Sequence, residues 1–402
     1  MGELSSTERE AVERAAAEPM LDQVLAWAAI NSGSRNLSGL ERMAELLADA
    51  FAALPGALRL DHPQPVENVD PAGKTAKIKH GRHLHLTVRP TAPVQLLLTG
   101  HMDTVFGADH AFQATRWIED GVLGGPGVAD MKGGLAVMLA ALKAVEKSRG
   151  VDRLGYEVVI NSDEEVGSLS SAALLTEAAK GKHAAFTYEP AALPDGTLAG
   201  ARPGSGNFSF LIRGKSAHAG RNPEDGRNAI VAASELALRL AMSKTPGLSV
   251  NPARIDGGGP SNVVPDLAIL RVNMRPRTTD DQEIAARLIA KAVDETAKQH
   301  EVYIEVHGGF GRPPKPLTED AEALFKLVRR AGADLGQDIA WQPTGGVCDG
   351  NNIAACGVPV VDTMGVRGGK IHSMEEFLIT DSLAERASLS ALAILRLLAE
   401  AR

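Results

Sequence analysis

Five short segments carry the residue types that could do chemistry: His101-Met102-Asp103-Thr104-Val105, Ala129-Asp130-Met131-Lys132-Gly133-Gly134, Asp163-Glu164-Glu165-Val166-Gly167, Tyr188-Glu189-Pro190 and Lys370-Ile371-His372-Ser373. Each closes an expected strand or a glycine-rich loop. Two histidines and three carboxylates from such a set meet the needs of a two-metal hydrolytic centre, where one carboxylate bridges and each cation takes one imidazole and one further carboxylate. A lone Asp or Glu at a strand end is usually a solvated turn residue. The informative pattern is the recurrence of such segments along one chain.

The elements that would position these residues are those of a layered α/β protein. Residues 94–98, 157–160 and 184–188 are short apolar runs suited to buried strands, and 133–147 reads as a helix between the first two. Strand, helix, strand recurring in this way predicts a sheet with parallel members. In open sheets of that kind ligands gather beyond the carboxyl ends of the strands, which is where His101, Glu164, Glu165 and Glu189 fall. Upstream, Ser38-Gly39-Leu40-Glu41 has capping-box spacing, and Leu40, Met43, Leu47 and Phe51 follow at helical intervals until Pro55-Gly56.

The middle third changes character. Residues 207–213 alternate as a strand, 228–242 are helical, 248–255 and 267–274 are strand-like, 280–299 are helical and 302–306 alternate again. That order is the β-α-β-β-α-β split motif. Because metal-type segments lie on both sides of it, the expected architecture is a discontinuous catalytic domain, residues 1–204 and 314–402, with a smaller domain, residues 205–313, inserted into it. Both edges, Arg202-Pro203-Gly204-Ser205-Gly206 and Gly311-Arg312-Pro313-Pro314, are rich in Gly and Pro, as hinge-like connections are.

A chain of 402 residues is large enough for two cores. A formal net charge of -8 and 4% aromatic residues supply neither a basic stripe nor a stacking platform, so nucleic acid is excluded as a partner and a small molecule is expected. The longest apolar runs, such as 24–30 and 135–142, fall well short of the roughly 20 residues of a membrane span, so no membrane partner is expected. The acidic N-terminus lacks the charged-then-apolar order of a secretory signal, which predicts a cytoplasmic protein or one already processed. Cys348 and Cys356 are too few for a disulfide framework and read as reduced thiols.

Taken in order, these motifs resemble the co-catalytic zinc metallopeptidases that include glutamate carboxypeptidase, acetylornithine deacetylase and succinyl-diaminopimelate desuccinylase, most of all the glutamate carboxypeptidase type. The resemblance runs from about residue 96 to the C-terminus. It implies a zinc-peptidase catalytic domain with a mixed, largely parallel sheet, plus an inserted ferredoxin-like lid domain through which a homodimer forms. It implies two Zn per subunit, with Co or Mn accepted by the same donors. His101 and Glu189 would hold one ion, Glu165 and His372 the other, and Asp130 would bridge them. Glu164 would be the general base, since adjacent residues at a strand end point in different directions. Asp103, also assigned to the catalytic machinery, suits a role in which its carboxylate accepts the other N–H of the His101 ring. A cis peptide beside Asp130 is a further expectation from the family.

The inserted domain carries a second constellation: Lys215-Ser216-Ala217-His218-Ala219-Gly220, Gly259-Pro260-Ser261-Asn262-Val263-Val264-Pro265 and Asn273-Met274-Arg275-Pro276. The resemblance implies that His218 helps hold the oxyanion and reaches the partner subunit's site, and that Asn262 and Arg275 contact substrate. A guanidinium fork matches a carboxylate, so Arg275 points to a small peptide or N-acyl amino acid with a free carboxylate beside the scissile amide. The expected activity is therefore a carboxypeptidase or an N-acyl-amino-acid deacylase. The alternative is a noncatalytic dimeric binding or regulatory relative, whose mark would be a missing base or ligand; none is missing here.

Two departures bear on substrate choice. Residues 191–202 are longer than in the glutamate-specific type, and Arg202 has no secure counterpart among its side-chain-recognition residues. Cys348 stands where Thr or Ser is expected, with little consequence for the chemistry. His80, His83 and His85 have tempting spacing, but His83 and His85 alternate with Leu84 and Leu86 and are read as surface residues. Gly124-Gly125-Pro126-Gly127 and Gly345-Gly346 do not open a helix with a Lys-Ser or Lys-Thr pair, and are read as letting backbone approach the metal site.

Overall fold

A computed structural model describes residues 4–400 of the chain, so the first three residues of the segment read for a leader lie outside the described residues. The structure divides into two units. One comprises the chain up to Gln64, Lys79–Ala201 and the chain from Leu317 onward; the other comprises Pro65–Ile78 and Arg202–Pro316.

The first unit is built on a six-stranded sheet in the order Ala57–Asp61, His83–Val88, Leu154–Asn161, Val94–His101, Ala184–Thr187 and Val360–Val361. The first two pairings are antiparallel and the other three parallel. Period-2 alternation sends side chains of each central strand to opposite faces. Leu96, Leu98, Val158, Ile160 and Phe186 join the larger core with helices Gly134–Val145 and Asp381–Glu400, while Leu97, Val159 and Ala185 join a smaller core with Leu175 and Ile353. Strands covered on both sides read as continuous apolar runs, which is why they were legible as buried. Register then fixes the site: His101 pairs with Asn161 and Thr99 with Thr187, so the segments that follow all leave the sheet at one edge.

Two local expectations are corrected. The helix carrying Leu40, Met43, Leu47 and Phe51 is Leu37–Phe51, and its N-cap is Asn36, whose Oδ1 accepts the N–H of Gly39 at 3.2 Å. Asn caps as well as Ser, and it stands ahead of Ser38, so the helix starts earlier than the capping-box spacing implied. His83 and His85 are buried, not on the surface. Strand His83–Val88 has neighbours on both edges and cover on both faces, and its imidazoles are taken up by polar partners: His83 by Ser162 and Ser170, His85 by Glu157.

The second unit has an antiparallel sheet in the order Leu248–Gly257, Leu267–Pro276, Ser205–Arg213 and Tyr303–Arg312. Helices Ala229–Met242 and Thr279–His300 cover one face through a core that includes Phe210, Leu236, Leu270 and Ile289. The unit is larger than the span expected at 205–313, because hairpin Val66–Val69 and Thr75–Ile78 belongs to it. Val69 packs with Leu211 and Ile269 on the face opposite the helices, and its carbonyl accepts Arg271 Nη2 at 2.8 Å. Among the described residues no helix is long and apolar enough to cross a membrane. Cys348 is buried and Cys356 exposed, and they form no disulfide among the described residues.

Candidate metal centre

His101 is the last residue of the central strand Val94–His101 and is 1% exposed. Glu164 and Glu165 open the 3-10 turn after strand Leu154–Asn161, Glu189 follows strand Ala184–Thr187, and Asp130 sits in the turn Val128–Gly133 before helix Gly134–Val145. The Asp130–Met131 peptide is cis. His372 lies in the loop between strands Gly368–Gly369 and Phe377–Ile379, with a positive φ of 62°.

The structure brings these six residues together. Asp130 presents Oδ1 to His101 Nε2 at 3.1 Å and Oδ2 to His372 Nε2 at 3.2 Å. His372 Nε2 is also 3.1 Å from Glu165 Oε2, and His101 Nε2 is 3.7 Å from Glu189 Oε2. Donor atoms of His101, Asp130 and Glu165 lie within 4.8 Å of one another, as do those of His101, Glu164 and Glu189. Glu164 therefore stands within ligating reach of the atoms of His101 and Glu189.

Asp103 meets the His101 ring through both its main chain and, at longer range, its carboxylate. His101 Nδ1 is 3.0 Å from the main-chain oxygen of Asp103 and 3.5 Å from its carboxylate. The carboxylate also accepts the N–H of Glu164, the N–H of Glu165 and the hydroxyl of Ser34. An aspartate two residues after a strand-end histidine can serve through its main chain, and that leaves its side chain to fix the acidic turn.

The charges bear on what the pocket can hold. Four carboxylates and two imidazoles share one largely buried space, and burying that much negative charge without cations is costly. Hydrogen bonds to Asp130 and Glu165 push His372 up to about 11. Burial opposes a charge on His101, but Glu189, Asp103 and Asp130 raise it well above its ordinary value. Burial alone would raise Asp130; hydrogen bonds from the two histidines override it and hold the carboxyl well below the usual range. Burial and the Asp130 charge push Glu165 up to about 7. The carboxylates thus favour positive charge at both histidine positions. A mixed imidazole and carboxylate set of this kind fits two divalent cations, Zn, Co or Mn by donor chemistry.

Sequence reasoning missed two groups here. Glu376 is 1% exposed, and its carboxylate accepts the N–H groups of Gly127, Ala129 and Asp130. Lys132 is equally buried and donates from Nζ to the carbonyl of Ile30 at 2.9 Å; burial lowers its pKa to about 8. No spacing rule could find Glu376, because its partners are main-chain groups far away in sequence. Gly127 has a φ of 73°, which favours glycine in the loop that delivers those N–H groups. Gly345 has only open space where a Cβ would stand, so close packing is not the reason for glycine there.

The other expected residues lie in the second unit. His218 forms an isolated bridge with Val263, and the N–H of Ala219 donates to the carbonyl of Asn262, so the His218 and Asn262 segments run side by side. Arg275 is on strand Leu267–Pro276, and its Nε donates to Asn273 Oδ1 at 3.0 Å. Arg202 forms an isolated bridge with Lys315 and is buried.

A profile of peptidase family M20/M25/M40 matches residues 97–396. The chain belongs to this family. It is 33% identical over 338 residues to carboxypeptidase G2 of Pseudomonas sp. (strain RS-16), covering 81% of this chain and 79% of that one. It is 26% identical over 336 residues to a succinyl-diaminopimelate desuccinylase of Psychrobacter arcticus, covering 79% and 82%. A tripeptidase from Staphylococcus aureus superposes with a TM-score of 0.74 at 25% identity, covering 96% of this chain and 99% of its own. This family member is a hydrolase, a metal-dependent peptidase by descent, and the M20 chain has the mixed α/β fold with a mostly parallel sheet that its motifs implied.

Proposed function

We propose that this M20 hydrolase cleaves an amide bond beside a free carboxylate, using two divalent cations, Zn in the first instance, held by His101, Glu189, Glu165 and His372 with Asp130 between them. The observation that carries the reading is the placement of the two Asp130 oxygens, one toward each histidine. Cations bound there would acidify a water and polarise the amide carbonyl.

The chain's own groups would do the rest. The Glu164 carboxylate takes a proton from the attacking water as its oxygen bonds to the carbonyl carbon, then gives that proton to the departing amine as the C–N bond breaks. The main chain of Glu164 is pinned by Asp103, which holds the base in place through the proton transfers. His218 and Asn262 would steady the developing oxyanion and the substrate, and Arg275 would receive the free carboxylate, its guanidinium plane set by Asn273. The substrate is then a small peptide releasing its C-terminal amino acid, or an N-acyl amino acid.

We read the second unit as the dimer-forming one. Val231, Leu238 and Met242 are exposed on helix Ala229–Met242 at spacings of 7 and 4, which places them on one stripe.

The test is a panel of dipeptides and N-acyl amino acids, each offered as free acid and as C-terminal amide, to the chain loaded with Zn or Co. Metal-dependent turnover of the free acids supports the reading; no turnover on any member after loading overturns it.

A further inference from the structure

Glu376 joins two parts of the centre, the loop that carries His372 and the turn that carries Asp130. It stands at the base of the loop that carries His372, immediately before strand Phe377–Ile379. That strand pairs on one side with Gly368–Gly369, closing the His372 loop, and on the other with Val122–Gly124, which leads into the Asp130 turn. From this position Glu376 Oε1 accepts the N–H of Ala129 at 3.0 Å and of Asp130 at 3.1 Å, and Oε2 accepts that of Gly127 at 3.2 Å. Its main-chain oxygen accepts Gly125 and its N–H donates to Ser373, so one residue is bonded to both segments.

The His372 loop needs such an anchor. The His372 side chain is 53% exposed, unlike that of His101. Lys370 and His372 both have positive φ, 56° and 62°, a conformation that non-glycine residues hold only when surrounding structure fixes it. Within the loop Ser373 bonds Lys370 and Glu375, which shapes the tip without attaching it to Asp130. Besides the direct contact of His372 with Asp130, a second link, to the main chain of the Asp130 turn, runs through Glu376.

We propose that Glu376 is a positioning residue: it fixes the Asp130 carboxylate relative to His372 and so sets the affinity of the cation those two residues share. This rests on the two-cation reading above. Glu376 makes no contact with substrate in this role. Glu376→Gln keeps one acceptor oxygen but turns a donor toward a main-chain N–H, and Glu376→Asp keeps both acceptors on a shorter arm.

The experiment is titration of Zn into the chelator-stripped chain against a competing chromophoric chelator, for the wild type and both variants, alongside thermal melting of the stripped chains. The wild type is expected to take two equivalents; Glu376→Gln should weaken the second by about 10- to 100-fold and leave the first within about threefold, with Glu376→Asp between. The stripped chains should melt alike. Two equivalents bound by Glu376→Gln as tightly as by the wild type would overturn the proposal. So would equal weakening of both with a matching fall in melting temperature, or failure of both variants to fold, since each marks a merely structural residue. A wild type that takes up only one equivalent would overturn the two-cation reading itself, and this proposal with it.

Discussion

Asp103 Oδ1 accepts the main-chain N–H of Glu164 at 3.1 Å. Its other oxygen accepts Glu165 N–H at 3.2 Å and Ser34 Oγ at 2.7 Å, and Asp103 itself is 1% exposed. One side chain thus sets where two adjacent glutamates leave the strand. Asp103→Asn replaces an acceptor oxygen by a donor facing one of these N–H or O–H groups. Leaving such a buried donor unpaired costs about 1–3 kcal/mol. We expect that loss in urea unfolding together with a lower kcat; unchanged stability and kcat would show that the acidic turn holds itself.

On the proposed reading Glu164 is the base and Glu165 a ligand, so only Glu164 should be indispensable for proton transfer. Glu164→Gln is expected to lower kcat by about 10²- to 10⁴-fold while the chain still takes up two equivalents of Zn. A fall to one equivalent would make Glu164 a ligand instead, as its position near His101 and Glu189 permits.

Much of the centre was readable because strand-end residues inherit their position from the sheet. His101, Glu164 and Glu189 follow apolar runs whose burial on both faces fixes register, and register fixes the edge at which they emerge. Asp130 and His372 stood out by residue type and loop context, but their places as bridge and ligand came only from the resemblance, since neither ends a strand of that sheet. Glu376 was invisible because a carboxylate that binds main-chain N–H groups needs no partner residue type. Hairpin 65–78 was missed for a related reason: its strands are four residues each and largely exposed, and Val69 alone joins the small core beneath them.

Arg275 provides a test of substrate class. A charge-assisted pair with a carboxylate contributes about 1.5–3 kcal/mol, so Arg275→Ala should lower kcat/KM for free-acid substrates roughly 10- to 100-fold. Amide-capped substrates, poor to begin with, should be almost unaffected. Equal losses on both kinds would assign Arg275 to the frame of the sheet, through Asn273, and not to the substrate.

The exposed stripe on helix Ala229–Met242 should matter for assembly and not for folding. Leu238→Glu combined with Met242→Glu places charges where a partner's apolar surface would have to sit. Light scattering is expected to give twice the 42.2 kDa chain mass for the wild type and the chain mass for the double variant. A wild-type monomer, or a double variant that still dimerises, would place the contact elsewhere.

His83 makes a prediction about acid. Burial lowers its pKa below the ordinary value of 6.5, outweighing the nearby carboxylates, Asp163 first and then Asp103, Asp61 and Asp349. Its Nδ1 accepts the N–H of Ser162 at 3.3 Å and its Nε2 lies 3.3 Å from Ser170 Oγ, so the folded chain wants the neutral ring. A second proton would set one N–H against another. The unfolded chain protonates His83 near 6.5, so unfolding takes up a proton as pH falls below that value, and stability declines with it. Above 6.5 both states carry the neutral ring and the effect vanishes. Gln at this position can accept from Ser162 without titrating. The unfolding free energy of the chelator-stripped wild type should therefore fall more steeply between pH 7 and 5 than that of His83→Gln, with the two curves parallel above pH 7. Parallel curves throughout would mean that His83 is protonated in the folded chain, against the hydrogen bond it receives from Ser162.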